Sequence, residues 1–271
     1  MNTISNTFNH LKNRGEGALI AYVAGGDPNQ KYSLKIIESM IEGGADIIEI
    51  GVPFSDPIAD GPTIQASVLR ALNSGTTFNS ILDIVNNINK ISDVPIVLLT
   101  YYNSIFKHGV NNFLTRAADA GVQGIIVPDL PVEEATELRE MAKINNIDTI
   151  FLATPTTSTD RLQNVIESTT GFLYLVSRYG VTGAKKNIEE LTMQLIAKTL
   201  PYTKGKIPLT VGFGLSTAQH VKAIIDAGAD GAIVGSALVD IIAKNQGSLD
   251  NIVKEIKSKT RIFKQATLKI K

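Results

Sequence analysis

The chain of 271 residues contains no cysteine. Disulfides, thiolate nucleophiles and cysteine-bound metals are therefore excluded, and the composition suits a reducing compartment. Histidine is nearly as scarce. Only His10, His108 and His220 occur, scattered and without ligand spacing, which argues against a catalytic metal. Charge of one sign is missing too: 26 basic side chains balance 26 acidic ones, so no net field draws the protein to nucleic acid or to an anionic membrane. Apolar stretches run to a handful of residues, far short of a membrane span. The opening segment MNTISNTFNHLKNRGEG has no apolar centre like that of a signal peptide. The expectation is a soluble protein of the cytoplasm, or of the plastid stroma if the gene is organellar.

What is present is a repeating alternation. Short apolar runs recur as ALIAYVA (18–24), DIIEI (46–50), PIVLLT (95–100), GIIVP (124–128), DTIFLA (148–153), GFLYLV (171–176), IPLTVG (207–212) and DGAIVG (230–235). Each is almost continuously hydrophobic, as parallel strands covered on both faces must be. Between them lie segments of helical spacing, such as Leu34, Ile37 and Ile41, or Val221, Ile224 and Ile225. Several of these close on a Gly-Ala-Asp type of turn before the next strand, as in EGGAD and DAGAD, where glycine supplies a left-handed cap. Eight strands alternating with helices predict an α/β fold, a (β/α)8 TIM barrel with a short extra N-terminal helix. A doubly wound open sheet is the alternative, but no GxGxxG follows the first strand. No linker, low-complexity stretch or charge block divides the chain, so residues 1–271 are expected to form one domain.

In such a barrel the chemistry sits at the C-terminal ends of the strands. There the segment DIIEIGVPFSDPIADGPTIQ (46–65) puts Glu49 inside an apolar run and Asp60 on the loop that follows. A glutamate in that setting is costly unless paired or hydrated, and two carboxylates meeting at a strand mouth are suited to general acid–base work. Taken singly, Asp60 could be a turn former, Asp129 a cap in PDLP, and tyrosines 22, 101 and 174 barrel filler; together they mark the mouth as a pocket. GFG (212–214) and GSALV (235–239) follow the last two strands, where Gly-rich turns and a helix N-terminus cradle a phosphate through backbone N–H groups. SRYGVTGAKKN (177–187), which includes Arg178, reads as a surface loop or as a lid over bound substrate. No lysine occupies the interior end of a strand, which argues against Schiff-base chemistry. The pattern points to metal-free proton transfer on a phosphorylated substrate with an apolar part.

The segments EIGVPFSDPIADGPTIQ, GDP (26–28), SRYGVTG, GFGLS and GADGAIVGSALV resemble, in order and over nearly the whole chain, the tryptophan synthase alpha subunit family. The resemblance implies retro-aldol cleavage of indole-3-glycerol phosphate to indole and glyceraldehyde 3-phosphate, with no cofactor in this chain. It implies a beta-subunit partner carrying pyridoxal phosphate in an alpha2beta2 heterotetramer, to which the indole passes. By the same resemblance Glu49 is the acid–base carboxyl and Asp60 the partner of the indole N–H. Tyr174 stands near Glu49, and Thr182 is the lid threonine that meets Asp60. Gly183, Gly214, Gly235 and Ser236 supply phosphate donors. Tyr22, Leu99, Ile126, Leu152 and Phe213 fall at indole-pocket positions, and the loop bearing Asp56 and Pro57 faces the beta subunit. Position 22 is Tyr where Phe is common in the family, and Lys185 and Lys186 look individual to this chain. A free-standing lyase releasing indole, and a non-catalytic phosphate-binding barrel, are the alternatives.

Overall fold

The computed structural model describes residues 3–176, 185–212 and 214–269, without the side chains of 185–189. Its centre is one parallel sheet. Strand β1 (Ala18–Ala24) pairs with β2 (Ile47–Gly51) on one side and β9 (Gly231–Val234) on the other. From β2 the sheet continues through β3 (Ile96–Leu99) and β4 (Gly124–Ile126) to β5 (Asp148–Ile150). From β9 it continues through β8 (Leu209–Gly212) and β7 (Leu173–Val176) to β6 (Leu152–Ala153). The two ends of this order, β5 and β6, are separated in the chain only by Phe151, so the sheet closes on itself.

The run DTIFLA, expected as one strand, is thus two short ones. Its first half bonds to β4 and its second half to β7, and the Phe151 carbonyl accepts from Tyr174 N–H at 3.1 Å where the pairing changes sides. Helices are also more numerous than simple alternation predicts. Two follow β2 (Pro62–Asn73 and Phe78–Asn89), two follow β3 (Tyr102–His108 and Val110–Ala120), and two follow β9 (Ser236–Lys244 and Leu249–Ala266). No helix among the described residues is long and apolar enough to cross a membrane.

Alternate strand residues feed two separate cores. Ile20, Ile47, Val97, Ile126, Ile150, Tyr174 and Ile233 fill the barrel, whereas Leu19, Ile48, Leu98, Ile125 and Leu175 pack outward under the helices. Burial on both faces explains why the runs show no alternation in sequence. The extra helix Ile4–Arg14 sends Ile4, Phe8 and Leu11 into the inner core and closes the barrel at the strands' N-terminal end. Polar side chains tie that rim together. Asp46 accepts from Leu19 N–H at 2.7 Å, Gln123 from Ile96 N–H at 2.7 Å, and Asp230 from Leu209 N–H at 2.9 Å. The aspartates of the Gly-Ala-Asp turns therefore join neighbouring strands, after a glycine such as Gly228 (φ +106°) has reversed the chain. The opposite end, at the strands' C-termini, is left open for loops.

Candidate active site

Glu49 is the third residue of β2, two beyond the inward-facing Ile47, so the strand's period of two sends it into the barrel. It is 1 % exposed, and its Oε2 finds no hydrogen-bond partner among the described residues. Burial first, then the neighbouring charge of Asp60, pushes its pKa up to about 8.

Asp60 arrives on the loop between β2 and the next helix. Val52 N–H bonds to the Leu99 carbonyl at 2.8 Å, the last tie to the sheet, after which the prolines turn the chain back over the strand ends. Asp60 N–H bonds to the Pro57 carbonyl at 3.0 Å, and the Gln65 amide donates to the Asp60 carbonyl at 2.9 Å. Pro62 then opens the helix at a position where no N–H is needed. The Tyr101 hydroxyl accepts from Ala59 N–H at 3.0 Å and donates to Asp60 Oδ2 at 3.1 Å. Phe54 stacks on the Tyr101 ring with centroids 5.2 Å apart. Burial raises the Asp60 pKa to about 6, against the pull of the Tyr101 bond. Near neutral pH, Asp60 is therefore charged and Glu49 largely protonated. Their mutual repulsion falls on Glu49, the carboxyl that ionises second.

Both carboxyls line one cavity of about 250 Å³, with Tyr22, Leu99, Tyr174, Gly214, Gly235 and Ser236. Each tyrosine is seated on a glycine. A Cβ on Gly212 would stand 2.6 Å from the Tyr174 hydroxyl, and one on Gly51 would collide with the Tyr22 hydroxyl. At the far wall, Gly214 has φ +82°, and Gly235 precedes a helix that has no side-chain cap. Gly235 and Ser236 both line the cavity, so the uncapped start of that helix borders it, the setting that favours an anion.

Ile126 and Leu152 belong to the inner core below this cavity, with Ile126 fully buried. Asp129 is exposed and spends one carboxylate oxygen on Tyr102 N–H at 2.9 Å, the capping role that its sequence context also allowed. Arg178, Thr182, Gly183 and Phe213 lie outside the described residues, as do the side chains of Lys185 and Lys186. Thr63, Ile64, Leu215, Ile233 and Asp240 line the cavity without having been singled out from sequence. Ile233 had a legible signal, its position two residues before Gly235 on an alternating strand. Asp240, one helical turn beyond Ser236, had a weaker one.

Asp56 is exposed on the same loop, Pro57 half-buried, and Ile58 82 % exposed. Ile58 and Pro57 border a shallow groove with Phe54, Val68 and Leu69, the last 58 % exposed.

A family model described as "Tryptophan synthase alpha chain" matches residues 8–268. A curated tryptophan synthase alpha chain of Methanoregula boonei is 46 % identical over 253 residues, 93 % of this chain and 95 % of that one. Another, of Arabidopsis thaliana, is 43 % identical over 263 residues, 97 % of this chain and 94 % of that one. Among solved structures, a chain of the tryptophan synthase α2β2 complex of Pyrococcus furiosus superposes with a TM-score of 0.85 at 42 % identity, covering 92 % of this chain and 98 % of that one. A chain of Mycobacterium tuberculosis tryptophan synthase superposes at 0.86 with 32 % identity, covering 98 % of each.

Proposed function

Because the chain belongs to the tryptophan synthase alpha chain family, we propose that it cleaves indole-3-glycerol phosphate to indole and glyceraldehyde 3-phosphate. The observation that carries this reading is the pairing of two carboxyls with opposite protonation at one cavity, a buried Glu49 with its pKa near 8 and an ionised Asp60 near 6. One holds a proton to give, and the other holds a negative charge to offset a cation.

The phosphate sits at Gly214, Gly235 and Ser236. The indole lies over Tyr22 and Leu99. Charged Asp60 accepts the indole N–H and steadies the positive charge that grows on the ring. Protonated Glu49 gives its proton to ring carbon C3. It then takes the proton of the hydroxyl on the adjoining glycerol carbon. The O–H pair becomes the second bond of a carbonyl while the C–C pair returns to the ring. Neutral indole and an aldehyde result, and Glu49 has its proton back. The protonated ring is the electron sink, so no imine and no redox partner enters.

The groove beside Asp56, Pro57 and Ile58 is the face we assign to the beta subunit, since contiguous exposed apolar side chains mark interaction surfaces. Pyridoxal phosphate belongs to that partner, and the pair works in the cytoplasm or the plastid stroma.

The direct test is Glu49→Gln. Turnover of indole-3-glycerol phosphate should fall by at least about 10²-fold with substrate affinity near normal, since the amide can neither give nor take the proton. Near-normal turnover would remove Glu49 from the reaction.

A further inference from the structure

Tyr22 and Glu49 are register partners on the adjacent parallel strands β1 and β2, so their side chains leave the sheet on the same face. The Tyr22 ring spans two glycines. A Cβ on Gly235 would lie 3.1 Å from its Cδ1, and one on Gly51 would lie 3.0 Å from its Cζ. The ring thus runs from the phosphate turn across to the C-terminal end of β2, and its hydroxyl rests over Gly51, two residues past Glu49. There it is buried without a hydrogen-bond partner among the described residues. Glu49 Oε2 is buried without one as well, and the two are not bonded to each other. Both groups line the same cavity.

Two unpartnered polar atoms lining one cavity leave a place for a group that satisfies both. The phenol keeps its proton, because burial and then the charges of Asp60 and Glu49 hold its pKa well above 10. It is therefore a donor, whereas the ionised Glu49 carboxylate is an acceptor. A substrate hydroxyl can accept from the one and donate to the other.

Resting on the cleavage reading above, we propose that the Tyr22 hydroxyl donates a hydrogen bond to the substrate hydroxyl oxygen whose proton Glu49 removes. As that proton leaves, the oxygen carries developing negative charge until the C–C pair has returned to the ring and the carbonyl is complete. A donor fixed on that oxygen acts on the charge as it develops. The carbonyl product keeps the same bond, and the phenol gives up no proton.

Tyr22→Phe tests this, measured with indole-3-glycerol phosphate and with an indole propyl phosphate analogue that lacks the chain hydroxyls. The expected result is a kcat lower by about 3- to 10-fold, the size of one neutral hydrogen bond. Affinity for the analogue should be unchanged, and the melting temperature of the free protein equal or higher, because an unpaired buried hydroxyl has gone. An unchanged kcat would overturn the proposal. So would an equal loss of affinity for the analogue, or a lower melting temperature, since either assigns Tyr22 to packing. If the unaltered protein cleaves nothing, the cleavage reading itself falls; if it cleaves and the variant keeps pace, only the role of Tyr22 falls.

Discussion

Glu49 meets two opposed demands, to be acidic enough to lose a proton to carbon and basic enough to recover one from a hydroxyl. A pKa near the working pH satisfies both, and burial in an apolar strand beside Asp60 supplies it. The pH dependence follows. Cleavage needs Glu49 protonated and Asp60 ionised, so kcat/KM should fall above about 8 and below about 6. Asp60→Asn removes the like charge, so the Glu49 carboxyl should then titrate at lower pH, read by NMR of its carboxyl carbon. An alkaline limb in the ordinary carboxylate range, or a Glu49 indifferent to Asp60, would contradict this electrostatic arrangement. Much of it was legible in the sequence, because a carboxylate inside IIEIG is costly to bury and stands out among its apolar neighbours. The Tyr101–Asp60 bond was not: residues 41 apart in the chain are joined only by how the loop folds. Asp129 illustrates the reverse case. Its sequence context allowed both a pocket residue and a cap, and its Oδ1 accepts from Tyr102 N–H, as a cap does.

The element that sets Asp60 is the helix Pro62–Asn73, and it is pinned by one buried ion pair. Arg70 forks onto both oxygens of Asp27, at 2.7 and 2.8 Å, with Asp27 fully buried in the turn after β1. That pair fixes the helix to the barrel mouth, and with it the loop that presents Asp60. Arg70→Ala would strand the Asp27 charge, whose pKa burial already raises. The expected loss is about 3 kcal/mol in a urea unfolding series, on the scale of breaking any buried pair. A loss under about 0.5 kcal/mol would show the pair to be incidental. GDP stood out in the sequence as a motif, but its partner did not, since the two lie 43 residues apart. Strand boundaries were read closely because both faces are buried. The break at Phe151 was invisible, since it comes from closing the sheet and not from any local residue signal. The second helices after β2 and β3 were not read from the sequence for a related reason: short helices such as Tyr102–His108 offer too few turns to display a period, whereas the final helix Leu249–Ala266 was legible in the Ile and Phe spacing of the tail.

At the scale of the whole molecule, the barrel separates stability from chemistry. The helix Ile4–Arg14 and the polar rim close one end, while the two carboxyls, the glycine turns at Gly214 and Gly235 and the exposed groove at Ile58 gather at the other. The groove at Ile58 and Leu69 lies on the loop and helix that carry and follow Asp60. A partner seated there would press on the element that positions the site. On the proposed reading, coupling between assembly and turnover follows from the chain's order, since the assigned contact residues 56–58 and the carboxylate at 60 share one loop. Asp56 and Pro57 were singled out in the sequence, whereas Leu69 joins the same exposed groove only once the helix is in place. The most direct measurement is indole release from indole-3-glycerol phosphate by the purified chain, alone and with a tryptophan synthase beta subunit added. Slow release that rises steeply with the partner is the predicted result. Fast release indifferent to the partner would contradict the subunit role, and no release under either condition would contradict the cleavage itself.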